Sequence, residues 1–113
     1  MNEQTFIDPV SLPWLAVEFA PGVGLAALAE PVPGGSIHLA FVEEGTVIPA
    51  HTHPADEYVH VLRGELETGG RPCDPGTFWR TPAGTRQGPH VARTSVELLT
   101  IRLGPMGEFD GGA

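Results

Sequence analysis

The stretch Gly45-Thr46-Val47-Ile48-Pro49-Ala50-His51-Thr52-His53-Pro54-Ala55-Asp56-Glu57-Tyr58-Val59-His60-Val61-Leu62-Arg63-Gly64 decides how this chain reads. On an extended strand alternate residues project to one face, so the rings of His51 and His53 stand side by side. That spacing lets two imidazoles approach one cation from neighbouring directions. Pro54-Ala55-Asp56 then turns the chain, and a strand beginning at Glu57 returns its carboxylate to the same place. Two imidazoles and one carboxylate on one ion leave positions open for substrate or oxygen, the arrangement of non-haem iron chemistry. The competing reading is two polar residues on a solvated face beside an unrelated acid, and His-x-His alone does not separate the two.

Outward from this stretch the chain reads as strands. Upstream, Leu15, Val17 and Phe19 alternate with smaller or polar residues, as do Val23, Leu25 and Ala27; both runs are proline-punctuated and read as edge strands or an arm. A helix over Leu25 to Glu30 competes but would be short and poorly capped. Ile37 to Val42 alternates, with Ile37, Leu39 and Phe41 taken as the inward face and His38 as structural. Further strands are expected over 46–53, 57–62, 77–81 and 95–103, with a hairpin at Gly69-Gly70. The domain plan is an N-terminal arm over 1–34, a barrel over 35–104 and a flexible Gly-rich tail over 105–113. About eight or nine strands and no convincing helix give an all-β sandwich or barrel.

Composition narrows the function. The chain has 113 residues, enough for one domain, with 15 glycines and 12 prolines spread between apolar runs as in a turn-rich β protein. Its formal charge is −8, and its 6 basic residues are all arginine. Without lysine there is no side-chain Schiff base. The acidic balance makes duplex DNA or an anionic membrane a poor partner, because both need clustered positive charge. One cysteine, Cys73, excludes an internal disulfide and a cysteine zinc knot. The N-terminus lacks a basic and apolar leader, so the expected location is cytoplasmic.

The glycine framing carries a resemblance. Gly45, five residues, His51-x-His53, three residues, Glu57, six residues and Gly64 resemble the first motif of the cupin superfamily at every position. Gly76, five residues and Pro82-Ala83-Gly84 resemble the opening of its second motif. The resemblance implies a jelly-roll β-barrel with one divalent metal ion held by His51, His53, Glu57 and a third histidine. At that last position this chain has Gln87, and Val91 stands where an asparagine is expected. An amide oxygen is a harder, weaker ligand than imidazole. His90 is the alternative: strand parity sets it opposite Gln87, unless Gly88-Pro89 forms a bulge. Fe(II) is the favoured ion, with Mn(II), Ni(II) or Zn(II) the others these ligand types take.

The shorter lead-in, Asp8-Pro9 to Trp14 and Phe19 to Val23, resembles small bacterial cupins such as ChrR-type modules and diketone- or acetophenone-cleaving dioxygenases. The expected function is a mononuclear dioxygenase acting on a small oxygenated carbon substrate, with Glu57 also able to act as a base. A metal- or ligand-sensing module is the alternative, and a sugar isomerase or epimerase the third; an ion-free barrel is the plainest of all. Arg80 and Arg86 are candidates for holding an anionic substrate, with surface arginine as the default. Trp79 or Phe78 faces the interior, His60 faces outward, and Tyr58 is out of phase with Glu57. A homodimer covering Trp14, Leu15 and Phe19 is expected.

Overall fold

Short apolar runs punctuated by glycine and proline form twelve strands among the residues that the computed structural model describes, 3–17, 20–106 and 108–109. They are β1 (Leu15–Ala16), β2 (Val23–Ala29), β3 (Ser36–Val42), β4 (Val47–Ile48), β5 (His51–Thr52) and β6 (Glu57–Arg63). The second half supplies β7 (Leu66–Thr68), β8 (Arg71–Cys73), β9 (Phe78–Thr81), β10 (His90–Ala92), β11 (Val96–Arg102) and β12 (Glu108–Phe109). A six-stranded sheet runs β1-β2-β3-β11-β6-β9, a four-stranded sheet runs β4-β10-β7-β8, and β12 pairs with β5. Every pairing is antiparallel. The expected jelly-roll β-barrel is what forms, and Leu25 to Ala29 is strand rather than helix. No described helix is long and apolar enough to cross a membrane.

One apolar cluster joins the two larger sheets. Val23, Ala40, Val42, Val59, Val61, Val96 and Leu98 come from the six-stranded sheet, and Leu66, Cys73 and Ala92 from the four-stranded one. Cys73 is therefore a core residue at the end of β8. On β6 the alternation is as expected: Glu57, Val59 and Val61 are buried while Tyr58 and His60 are half-exposed.

On β3 the expected faces are reversed. His38, Ala40 and Val42 point inward, while Phe41 lies outside with 39% of its surface exposed. Leu39 is buried as well, but on the reverse face, registered between Ala26 and Leu99. The physical reason is that the outer face of this sheet is itself apolar, so alternation reports two faces without saying which is the core. Trp14 packs edge-on against Phe41 at 6.4 Å between ring centroids, and Tyr58 stacks on Phe78 at 6.1 Å.

The ends of the chain also differ from expectation. β2 is an interior strand with β1 as the edge beyond it. Phe19, expected in the first arm strand, lies outside the described residues. The segment read as a tail contributes β12, with Glu108 registered on Thr52 and Phe109 on His51. Its glycine-rich composition hid this, because two residues are too few for a period to show.

The motif glycines differ in how tightly they are held. Gly45 and Gly64 both have left-handed φ, +86° and +83°, but a Cβ at Gly45 meets open space whereas one at Gly64 collides with the Ser95 carbonyl oxygen. Gly45→Ala should cost about 1 kcal/mol from the backbone alone, and Gly64→Ala about 3 kcal/mol or more once the clash is added. Urea denaturation midpoints of the two variants measure this, and equal midpoints would show that Gly64 is not tightly enclosed.

Candidate metal centre

The sheets enclose a cavity of about 90 Å³, and the residues singled out by the sequence meet at one end of it. His51 sits in β5, His53 just beyond it, and Glu57 opens β6 after the Pro54 turn. One ligand atom from each of these three buried side chains lies within 4.8 Å of the others. The imidazole rings of His51 and His53 are 4.8 Å apart at 67°. His53 Nε2 is 3.1 Å from Glu57 Oε2. Two ligands about 2.1 Å from one ion and at right angles are about 3 Å apart, so this pair already has the separation a shared ion requires.

Backbone carbonyls fix both rings. His51 Nδ1 bonds the Pro49 carbonyl at 2.8 Å, and His53 Nδ1 bonds the Met106 carbonyl. A carbonyl only accepts, so each Nδ1 must carry the proton, and in the neutral ring Nε2 is the acceptor nitrogen. His53 Nε2 and the Glu57 carboxylate thus present lone pairs to one another, an arrangement that calls for a proton or a metal ion beside them. Burial pushes the Glu57 carboxyl up, but with a proton also on His53 Nε2 the bond and charge of that ring, together with the bond from Gln87, outweigh it and hold it below the ordinary value. Burial lowers His51, partly opposed by its bond to Pro49. The donor set fits a divalent transition ion.

Both candidates for the next ligand are buried beside this cluster. Gln87 exchanges two backbone bonds with His51, 2.9 Å each, and its Nε2 donates to Glu57 Oε1 at 2.9 Å. Its Oε1 is buried and has no hydrogen-bond partner among the described residues, as a fourth donor awaiting a cation would be. His90 also points inward, contrary to strand parity, because Gly88 at φ +92° breaks the two-residue alternation before β10 begins. Its ring stands 5.3 Å from that of His51, is stacked on Trp79, and bonds Thr68 Oγ1 through Nδ1 at 3.0 Å. Trp79 lines the cavity and Phe78 is exposed.

Two cavity residues escaped the sequence reading. His38, expected to be structural, lines the cavity, with Nδ1 bonded to Ser36 Oγ at 2.8 Å. Arg102 is buried, registered directly opposite Glu57 across β11 and β6, with Nη1 3.9 Å from Glu57 Oε2 and Nε donating to the Gly104 carbonyl at 3.0 Å. The signal was present: Val96, Leu98 and Thr100 alternate inward, and Arg102 is the next residue in phase. Arg80 and Arg86 are exposed and do not line the cavity, and Arg80 instead pairs with Asp56 at 3.2 Å. Asp56 also accepts the Ala83 amide at 2.8 Å and so braces the second-motif turn. Tyr58 and His60 border an outer hollow with Phe78, Leu99 and Ile101, which removes Tyr58 from any reaction in the cavity.

Comparison with known proteins agrees with this geometry. The ChrR Cupin-like domain family matches residues 2–107. KdgF from a Halomonas species superposes with a TM-score of 0.75 at 24% identity, over 88% of this chain and 94% of that one. An acetylacetone dioxygenase from Acinetobacter johnsonii gives 0.78 at 14% identity, over 100% and 85%. A chain from the Rhodobacter sphaeroides complex of SigE with the anti-sigma ChrR gives 0.72 at 18% identity, over 84% of this chain and 51% of that one. No curated protein matches. Identities this low carry the fold alone.

The buried histidines set a pH dependence. His38 falls from 6.5 to about 4, first through burial and then through Arg102 and His53, with Glu57 opposing. His90 falls to about 4 through burial and the neighbouring His51 and His53, again opposed by Glu57. The unfolded chain protonates first as pH falls through 6.5, so stability is complete above that value and declines until the folded value near 4 is reached. Each histidine should cost on the order of 3 kcal/mol over that window. Denaturation midpoints of metal-free protein at pH 7, 5.5 and 4.5 should fall steadily, and His90→Gln should flatten the decline; a flat profile for the unaltered protein would contradict the burial of both rings as neutral groups.

Proposed function

Because this chain belongs to the ChrR cupin-like family, we propose that it is a metal-dependent small-molecule cupin of the mononuclear dioxygenase type, acting on a small oxygenated carbon substrate. The observation that carries the proposal is the convergence of His51, His53 and Glu57, with Nε2 of His53 at Glu57 while its Nδ1 bonds a carbonyl. In this reading His51, His53, Glu57 and the unpaired Oε1 of Gln87 hold one divalent ion, Fe(II) foremost. That ion supplies Lewis acidity and neighbouring coordination positions for substrate and oxygen.

The chain's own residues supply the rest. Val59, Leu66, Leu98 and Trp79 make an apolar wall that excludes water and strengthens every charge inside. Glu57 is the one carboxylate lining the cavity among the described residues, and when off the ion it takes a proton from an acidic C–H of the substrate. Gln87 Nε2 holds the oxygen of Glu57 it donates to, which fixes the direction of the other. Arg102 opposes Glu57 with a positive charge that favours oxygen becoming anionic.

Metal content of protein purified without added metal should approach one ion per chain and vanish in His51→Ala. Adding metal at about 100-fold over Kd should stabilise the unaltered protein by about 2.7 kcal/mol, and Gln87→His should tighten binding because imidazole replaces an amide oxygen. Unchanged or weaker affinity would remove Gln87 from the coordination sphere. Iron-loaded protein should consume oxygen with a diketone or hydroxyaryl ketone; an occupied site with no turnover favours sensing instead.

Sensing is a second reading, supported by the likeness to a chain in the SigE–ChrR complex, where this fold spans about half of that chain. Occupancy would then be passed to a partner protein, which a pull-down with and without metal detects. Assembly with a second copy is part of the proposal: Phe78 and Trp14, 60% and 42% exposed, lie on the outer apolar face. Light scattering at micromolar concentration should give a dimer mass, and a monomer mass would discard this part.

A further inference from the structure

We infer that the cavity takes a short carboxylic acid bearing a hydroxyl or keto oxygen, with the carboxylate gripped by the guanidinium of Arg102. The placement of the second oxygen and the excess of positive charge rest on the metal reading above; the guanidinium fork of Arg102 does not.

Arginine presents five N–H donors in a planar fork, and Arg102 commits one of them, Nε, to the Gly104 carbonyl. That bond fixes the plane of the guanidinium. Its Nη1 stands 3.9 Å from Glu57 Oε2, beyond hydrogen-bond range, so the two interact through space only. Neither Nη group finds a hydrogen-bond acceptor among the described residues, and neither is among the polar atoms sealed from solvent without a partner. The free edge of the fork therefore opens on accessible space. Donors with no protein partner are left to water or to a ligand, and a carboxylate matches the edge with two parallel bonds.

Position and charge agree. Arg102 borders both the inner cavity and the neighbouring hollow beside Leu15 and Val17, with Leu25, His38 and Met106 common to both. A ligand arriving from the arm side meets the guanidinium before it meets His51. Glu57 and Arg102 oppose one another in charge. A divalent ion at the histidines thus leaves an excess of positive charge that an anion neutralises and a neutral ketone does not. The space of about 90 Å³ admits a compact ligand.

Calorimetry with lactate against lactamide, and 3-hydroxybutanoate against 3-hydroxybutanamide, compares the same skeletons with and without the charge. Metal-free and Zn(II)-loaded protein should both bind the acids at least about tenfold more tightly than the amides. Arg102→Gln should abolish the preference, and Arg102→Lys should keep part of it by retaining the charge without the fork. The inference is overturned if acids and amides bind alike, if no acid binds at tens of millimolar, or if folded Arg102→Gln keeps the preference. The two readings fail separately. Stoichiometric zinc with no acid preference removes Arg102 and leaves the metal centre standing. An acid preference that zinc does not change supports Arg102 and removes the metal from ligand binding.

Discussion

Two hydrogen bonds to backbone carbonyls, from Nδ1 of His51 to Pro49 and from Nδ1 of His53 to Met106, are the constraint on which the site depends. Each fixes a tautomer and a ring direction at once, and neither uses a side chain that a sequence motif could reveal. Rotating either ring would break its bond to the carbonyl, and rotating His53 would also withdraw Nε2 from Glu57. Proline at 49 is informative in this respect. It donates no hydrogen bond of its own, and its carbonyl remains available at the strand break between β4 and β5.

Much of the fold and the heart of the site were legible in the sequence because they rest on the shortest periods. The two-residue alternation of His51 and His53, the Pro54 turn and the glycine frame Gly45 to Gly64 each act over a few residues, and the structure follows them. Gln87 was reached only through the resemblance, and the structure places its amide against Glu57. What parity misjudged was His90, where Gly88 resets the phase before a three-residue strand.

Facing was harder to read than strand position. Alternation on β3 distinguishes His38 from Ile37 but not inside from outside, because the outer sheet face carries Phe41, Leu99, Ile101 and Phe78. A histidine in a mostly apolar strand was therefore assigned to the wrong side. The same rule applied to β11 would have found Arg102, since Thr100 and Arg102 continue the buried series. An arginine is a surface residue by default, and burial opposite Glu57 is the exception here.

Met106 lies 53 residues from His53, yet its carbonyl orients that ring, while β12 runs beside β5. The chain terminus and the imidazole consequently share one equilibrium. Anything that captures the Nε2 lone pair of His53 must strengthen the hold on the last strand, and anything that peels the terminus away must loosen the ring by an equal free energy. The far end of the polypeptide is in that sense a reporter of what occupies the barrel, readable by hydrogen exchange at Glu108 and Phe109.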